Sequence, residues 1–302
     1  MKKRILALGL TVALAAASLA ACGGASTKTT EKQTEAGTEK SSEKATEAAK
    51  EEKADSGELR TYKLGVNGSD HEEWEKANEL LAKDNIKLEM VEFSDYVKPN
   101  EALEDGEIDL NAFQTEIYFN NFVKERGYTD LGILAYTQVA PMGIYSSKYK
   151  SLDEATGHLI IAIPNDVTNG GRALKFLEKN GFLTLKKEAG LTPTVMDIEK
   201  YNKDVEIVEM VATQIPASLP DLSFACINNG VAKDAGLTLK NDAIVYEDYK
   251  EPDMKNYWNI IAAKKDRIES EDFQKIKKAY NSDEVKQVVL EHYDGQSIPV
   301  WD

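Results

Sequence analysis

The residues of this chain predict an α/β fold of two lobes around a hinged cleft, and three observations carry that prediction. From residue 60 onward, short apolar or alternating runs that read as strands take turns with runs whose apolar residues recur every three or four positions. Polar, glycine-containing loops follow several of these strands, as at Asn67-Gly68 and at Asn228-Asn229-Gly230. The chain also crosses from one such unit to a second at Pro141 and returns through residues 245–252, and two crossings between two lobes make a hinge.

Composition bounds the rest. A chain of 302 residues with 42% hydrophobic residues can bury the cores of one large or two ordinary domains. Its net charge of −15 argues against nucleic acid as a partner, and its two cysteines, far apart, exclude zinc or iron–sulfur spacing. The amino end is a leader: Lys2-Lys3-Arg4 is its basic start, residues 5–19 its apolar run, and Leu19-Ala20-Ala21-Cys22 a small-residue cleavage site ending in cysteine. This box resembles that of bacterial lipoproteins, which implies that residues 1–21 are removed and that Cys22 is diacylated. Two acyl chains anchor stably where one is marginal. Residues 25–58 contain no Val, Ile, Leu, Met or aromatic residue, so they predict a tether with a reach of roughly 30–35 Å rather than a core.

In the folded part, residues 61–66 read as the first strand, followed by a helix with Trp74, Ala77 and Leu81 on one face. Residues 87–93 alternate as a second strand, Pro99-Asn100-Glu101 opens a helix stopped by Gly106, and residues 110–114 read as a third strand. A helix over 116–126 ends at Gly127, and residues 131–146 form a β-rich stretch broken at Pro141. Ser151-Leu152-Asp153-Glu154 fits a capping box that predicts a helix opening the second unit. Further strands are predicted at 205–210, 222–227 and 257–263, with helices at 271–280 and 282–292.

Residues 161–174 are the most informative stretch. An apolar run stops at Pro164, polar residues follow, and a helix begins whose first turn Thr168 or Asn169 can cap. Arg172 adds a guanidinium near exposed backbone N–H groups, a combination suited to a carboxylate. The plainer reading is a strand-to-helix loop with a solvent-facing arginine. On either reading Arg172 is expected to have little structural duty of its own. Catalytic patterns are poorly represented: His71, His158 and His292 have no metal-ligand spacing and read as surface residues, and Cys226 reads as a buried apolar residue of a strand. No cofactor or metal is expected.

Several motifs in order then carry a family resemblance: Asp95-Tyr96-Val97-x-Pro99-Asn100-Glu101-Ala102-Leu103, Gly106-x-Ile108-Asp109-x-Asn111-Ala112-Phe113-Gln114, Pro141-Met142, Pro164-Asn165-Asp166-x-Thr168-Asn169-x-x-Arg172-Ala173-Leu174 and Ile227-Asn228. Over residues 60–302 the chain resembles the methionine-binding lipoproteins of the NlpA type, substrate-binding components of ABC importers. The resemblance implies a type II periplasmic-binding-protein fold, with lobe 1 from residues 60–142 and 246–302 and lobe 2 from 143–245, after a leader (1–21) and a tether (22–59).

It further implies a non-enzymatic protein held by lipid on the extracytoplasmic face of the cell membrane. Such a protein captures a free amino acid, most often L-methionine, for a permease driven by a separate ATPase. Carried over, Arg172 would pair with the ligand carboxylate with Asn169 assisting, Asn228 would bind the amino or carboxylate group, and Tyr96 and Phe113 would pack on the thioether. Thr115 stands where relatives commonly have histidine, which leaves that end of the pocket roomier. A tethered adhesin or receptor on the same fold, and an anchored hydrolase, are the competing readings.

Overall fold

The computed structural model describes residues 57–301, so the leader, Cys22 and most of the tether lie outside the described residues. In chain order, β1 (Arg60–Asn67) is followed by α1 (Glu72–Leu81), whose Trp74, Ala77 and Leu81 are buried as their spacing predicts. β2 (Ile86–Phe93) lies parallel to β1, and α2 (Lys98–Asp105) ends where Gly106 takes a left-handed conformation. β3 (Leu110–Asn111) is followed by α3 (Glu116–Arg126), capped by Thr115 and stopped by Gly127. β4 (Leu131–Val139) leads through Ala140-Pro141-Met142 into β5 (Gly143–Tyr145).

The second unit continues with β6 (Leu159–Pro164), α4 (Val167–Lys179) and the antiparallel pair β7 (Leu183–Leu185) and β8 (Ile198–Tyr201). β9 (Val205–Met210), α5 (Ile215–Ser218), β10 (Phe224–Ile227), α6 (Asn229–Asp234) and β11 (Ala243–Tyr246) complete it. The chain then returns to β12 (Trp258–Lys264), α7 (Lys265–Ile268), α8 (Glu271–Tyr280), α9 (Asp283–His292) and β13 (Ile298–Pro299).

Two main sheets result, ordered β13-β4-β12-β3-β1-β2 and β11-β5-β10-β6-β9. Each has three adjacent parallel strands, β2-β1-β3 and β9-β6-β10. In each, the next strand is antiparallel and enters directly from a crossing: β5 after the first, β12 after the second. The hinge segments therefore run straight into central strands.

Each sheet has a core of its own on both faces, as sheets flanked by helices require. Leu64, Val66, Trp74, Phe273 and Val289 pack on one face of the first sheet, and Leu103, Phe119, Ile260 and Ala262 on the other. Ile161, Leu174, Phe182 and Phe224 pack on one face of the second sheet, and Ala162, Ile215, Ala225 and Ile227 on the other.

Several local expectations are corrected. No helix forms at residues 151–154; Ser146 Oγ instead accepts the N–H groups of Lys148 and Tyr149, and the Glu154 carboxylate accepts that of Lys150. Those donors are held in turns. The third strand is two residues long, because the chain bends out of it before Phe113 on the way to α3, although Gln114 O still accepts Ile260 N–H at 3.0 Å. The α4 cap is Asp166, in extended conformation with its carboxylate accepting Asn169 N–H at 2.8 Å, rather than Thr168 or Asn169.

Candidate functional site

Between the two sheets lies a cleft of about 620 Å³, lined by Tyr96, Phe113 and Thr115 from the first lobe and by Asn169, Arg172 and Asn228 from the second. Its size falls within the roughly 300–1,000 Å³ of small-molecule sites. All six residues named from the sequence thus meet in one place, because each sits at or just beyond the carboxyl end of a strand or the start of a helix.

The first-lobe wall is aromatic. Tyr96 and Phe113 lie 5.9 Å apart between ring centroids, and the Tyr118 ring stands edge-on to both at 6.2 Å. The Tyr118 hydroxyl donates to Tyr96 O at 2.9 Å, which ties α3 to the loop after β2. Burial first, and nearby carboxylates second, push the hydroxyls of Tyr96 and Tyr118 well above the usual tyrosine range, so both stay neutral.

Behind Phe113, the side chains of Asn100, Asn111 and Gln114 form a buried amide network with hydrogen bonds of 2.6 to 2.9 Å. It fixes the turn that presents Phe113. Thr115 is half-buried, and its Oγ accepts Tyr118 N–H at 3.3 Å as the α3 cap. This hydroxyl therefore also serves the helix.

The second-lobe wall is polar. The Asn228 side chain donates to Asn169 Oδ1 at 2.7 Å, and Asn169 donates to the Asp166 carboxylate at 3.0 and 3.1 Å. Asn228 Oδ1 is buried and has no hydrogen-bond partner among the described residues.

Arg172 is buried rather than solvent-facing, with 3% exposure. Its Nε donates to both Glu247 carboxylate oxygens at 3.0 and 3.1 Å, and its Nη2 donates to Glu247 and, at 2.9 Å, to Ala140 O. The Tyr257 ring lies 4.3 Å from the guanidinium carbon. The expectation that Arg172 has little structural duty is therefore corrected: it joins α4 to both crossings.

Sequence reasoning missed Tyr118 in the cleft wall, and Glu247 and Tyr257, which do not line the cleft but hold Arg172. It also missed a charged end of the cleft where Asp70, Glu73, Lys233 and Asp234 line the wall. There Lys233 of α6 pairs with Asp70 of the first lobe at 3.2 Å. His292, exposed as expected, meets Asp70 at 2.8 Å, and His71, half-buried, lines the cleft. Burial drives the Cys226 thiol up, as expected of a strand residue in a core.

The family model described as NlpA lipoprotein matches residues 62–301. The D-methionine-binding lipoprotein MetQ of Escherichia coli (strain K12) is 40% identical over 243 residues, covering 79% of this chain and 88% of that one. A crystal structure of a putative lipoprotein from Ruminococcus gnavus shares 41% identity at a TM-score of 0.76, covering 79% of this chain and 98% of that one. A nutrient binding protein from Burkholderia cenocepacia, solved bound to methionine, shares 35% identity at a TM-score of 0.75, covering 80% of this chain and all (100%) of that one.

Proposed function

Because this chain belongs to the NlpA lipoprotein family, we propose that it is the substrate-binding component of a methionine ABC importer, closing its cleft on free methionine and delivering it to a permease served by a separate ATPase. The observation that carries the reading is the opposition of two walls. An aromatic trio on one lobe faces a guanidinium and an unmatched amide oxygen on the other. A ligand with an apolar, polarisable side chain and a zwitterionic end satisfies both at once. Arg172 offers Nη1 to the carboxylate, Asn228 Oδ1 accepts from the ammonium, and Tyr96, Phe113 and Tyr118 enclose the thioether. Thr115 bounds the side-chain end, and Asn169 orients Asn228.

In this reading the lobes of residues 60–142 with 246–302 and of residues 143–245 move as two bodies about the crossings. The protein binds and releases its ligand without chemistry. It is held on the extracytoplasmic face of the membrane by acylated Cys22; no helix among the described residues is long and apolar enough to cross a membrane.

Titration calorimetry of the ligand-free protein against the twenty amino acids, with both enantiomers of methionine, tests the reading. Methionine is expected to bind most tightly. Heat from none of them sinks the importer assignment, whereas tighter binding of another amino acid changes only the ligand.

A further inference from the structure

The polar end of the cleft is built on a guanidinium whose two edges do different work. On one edge, the N–H groups of Nε and Nη2 are occupied by Glu247 and Ala140 O. On the other, Nη1 has no hydrogen-bond partner among the described residues, and Arg172 lines the cleft. Glu247 is itself fixed from both sides. Its carboxylate accepts Met142 N–H at 2.7 Å, its own N–H donates to Met142 O at 3.0 Å, and it is buried. Met142 belongs to the first crossing, Glu247 opens the second, and Tyr257, which covers the guanidinium face, closes it.

We infer that Glu247 is a positioning residue for ligand recognition: it clamps one edge of Arg172 against both crossings, so that the other edge is presented to a ligand carboxylate. The inference rests on the reading of the cleft as an amino-acid site. A guanidinium with both edges free has several orientations in which to meet a carboxylate, and binding then costs the entropy of selecting one. With one edge clamped and one face covered, a single presentation remains. Glu247 also neutralises Arg172, so the pull on the ligand is directional hydrogen bonding more than net charge. Because the clamp includes backbone of both crossings, carboxylate capture and hinge geometry share the same atoms.

The test is the ratio of affinities for L-methionine and L-methioninamide, which differ only in the group Arg172 would read. In Glu247→Asp the charge stays and the carboxylate retreats by one methylene, so methionine should weaken about tenfold and methioninamide by less than about threefold. In Glu247→Gln the reach stays, but an amide donor is set against Nε and Arg172 loses its countercharge; the ratio should fall here too. Either variant is sufficient if the other does not fold. A ratio that is unchanged while the melting temperature drops makes Glu247 purely structural and overturns the inference. A ratio that rises in Glu247→Gln shows that neutralisation, not orientation, is what Glu247 supplies, and overturns it as well. No preference for methionine over methioninamide in the parent protein removes the amino-acid reading itself.

Discussion

Asn228 at the start of α6 donates to Asn169 in the first turn of α4 at 2.7 Å, and Asn169 passes the polarity on to the cap Asp166. Two helix starts from different strands are thereby held in register across the polar wall of the cleft. The link turns Asn228 so that its carbonyl oxygen, with no partner of its own, stands at the site.

Asn228→Ala removes that acceptor without opening a core. We expect ligand affinity to fall by about 1–3 kcal/mol, the cost of an unmet buried ammonium hydrogen bond, with a change in melting temperature of a few degrees at most. Calorimetry and a melting curve on one preparation check both halves. Unaltered affinity would take Asn228 out of the site.

Arg172→Ala should damage fold and binding together. Removing one partner of a buried pair leaves the Glu247 carboxylate without its countercharge, which typically costs about 3–5 kcal/mol of stability. Replacing both partners, as in Arg172→Met with Glu247→Leu, should recover only part of that stability, because Met142 N–H and Ala140 O lose their partners, and none of the affinity. Denaturant melts separate the two effects. A single variant as stable as the parent would contradict the structural part.

Gly68 follows β1 with φ +79°, and a Cβ placed there would lie 2.5 Å from the Asp234 carboxylate on α6 of the other lobe. Gly68→Ala should therefore act as a wedge that opposes closure. Methionine affinity is expected to drop roughly tenfold, and Asp234→Ala in the same chain should restore part of it. An equal loss with and without Asp234 would trace the effect to backbone strain alone.

Glu73 supplies a pH dependence. Burial raises its carboxyl above the ordinary range despite the hydrogen bond from the Tyr293 hydroxyl. The folded state then holds this proton more tightly than the unfolded one. That contribution to stability is complete below the unfolded value of about 4.3 and is lost as pH rises through the raised native value. Glu73→Gln imitates the protonated form and still accepts from Tyr293. It should melt above the parent at neutral pH, with the gap closing towards about pH 4; a gap constant across that range refutes the assignment.

Cys22→Ser should bind ligand as the parent does and leave the membrane fraction, since the anchor proposed for this chain is the acylated thiol. Fractionation decides it. A variant that still sediments with membranes would place the anchor in the apolar run before Cys22.

What could be read from the sequence was what local physics determines. Gly106 and Gly127 stop helices because a left-handed C-terminal residue favours glycine, and the strand–loop–helix over residues 161–174 appears as β6 and α4. All six candidate residues reach one cleft because strand ends converge in such folds.

The misses involve choices that neighbouring residues do not make. Asp166, Thr168 and Asn169 all have capping side chains, and only the extended backbone at Asp166 selects among them. Glu247 looks like any surface acid until a helix start 75 residues away is folded against it. The three-residue strand β7 is too short to leave a periodic signal, and in place of the capping box at Ser151 the Glu154 carboxylate accepts the Lys150 N–H.

The way β12 enters the first sheet also governs the order in which the molecule can be completed. β5, β6, β9, β10 and β11 come from one unbroken run of chain, so the later-encoded lobe can close as soon as it is made. β4, in contrast, pairs among the described residues with β12 and β13 alone, both downstream of that entire lobe. As the chain emerges from its amino end, the ladder groups of β4 remain unpaired until the second crossing has been synthesised, and Leu134, Ala135 and Val139 lack the downstream half of their cores. Closure of so long a loop is slow compared with local pairing. The arrangement that supplies a hinge in the finished protein thus makes nascent β4 the segment most in need of shielding from other chains.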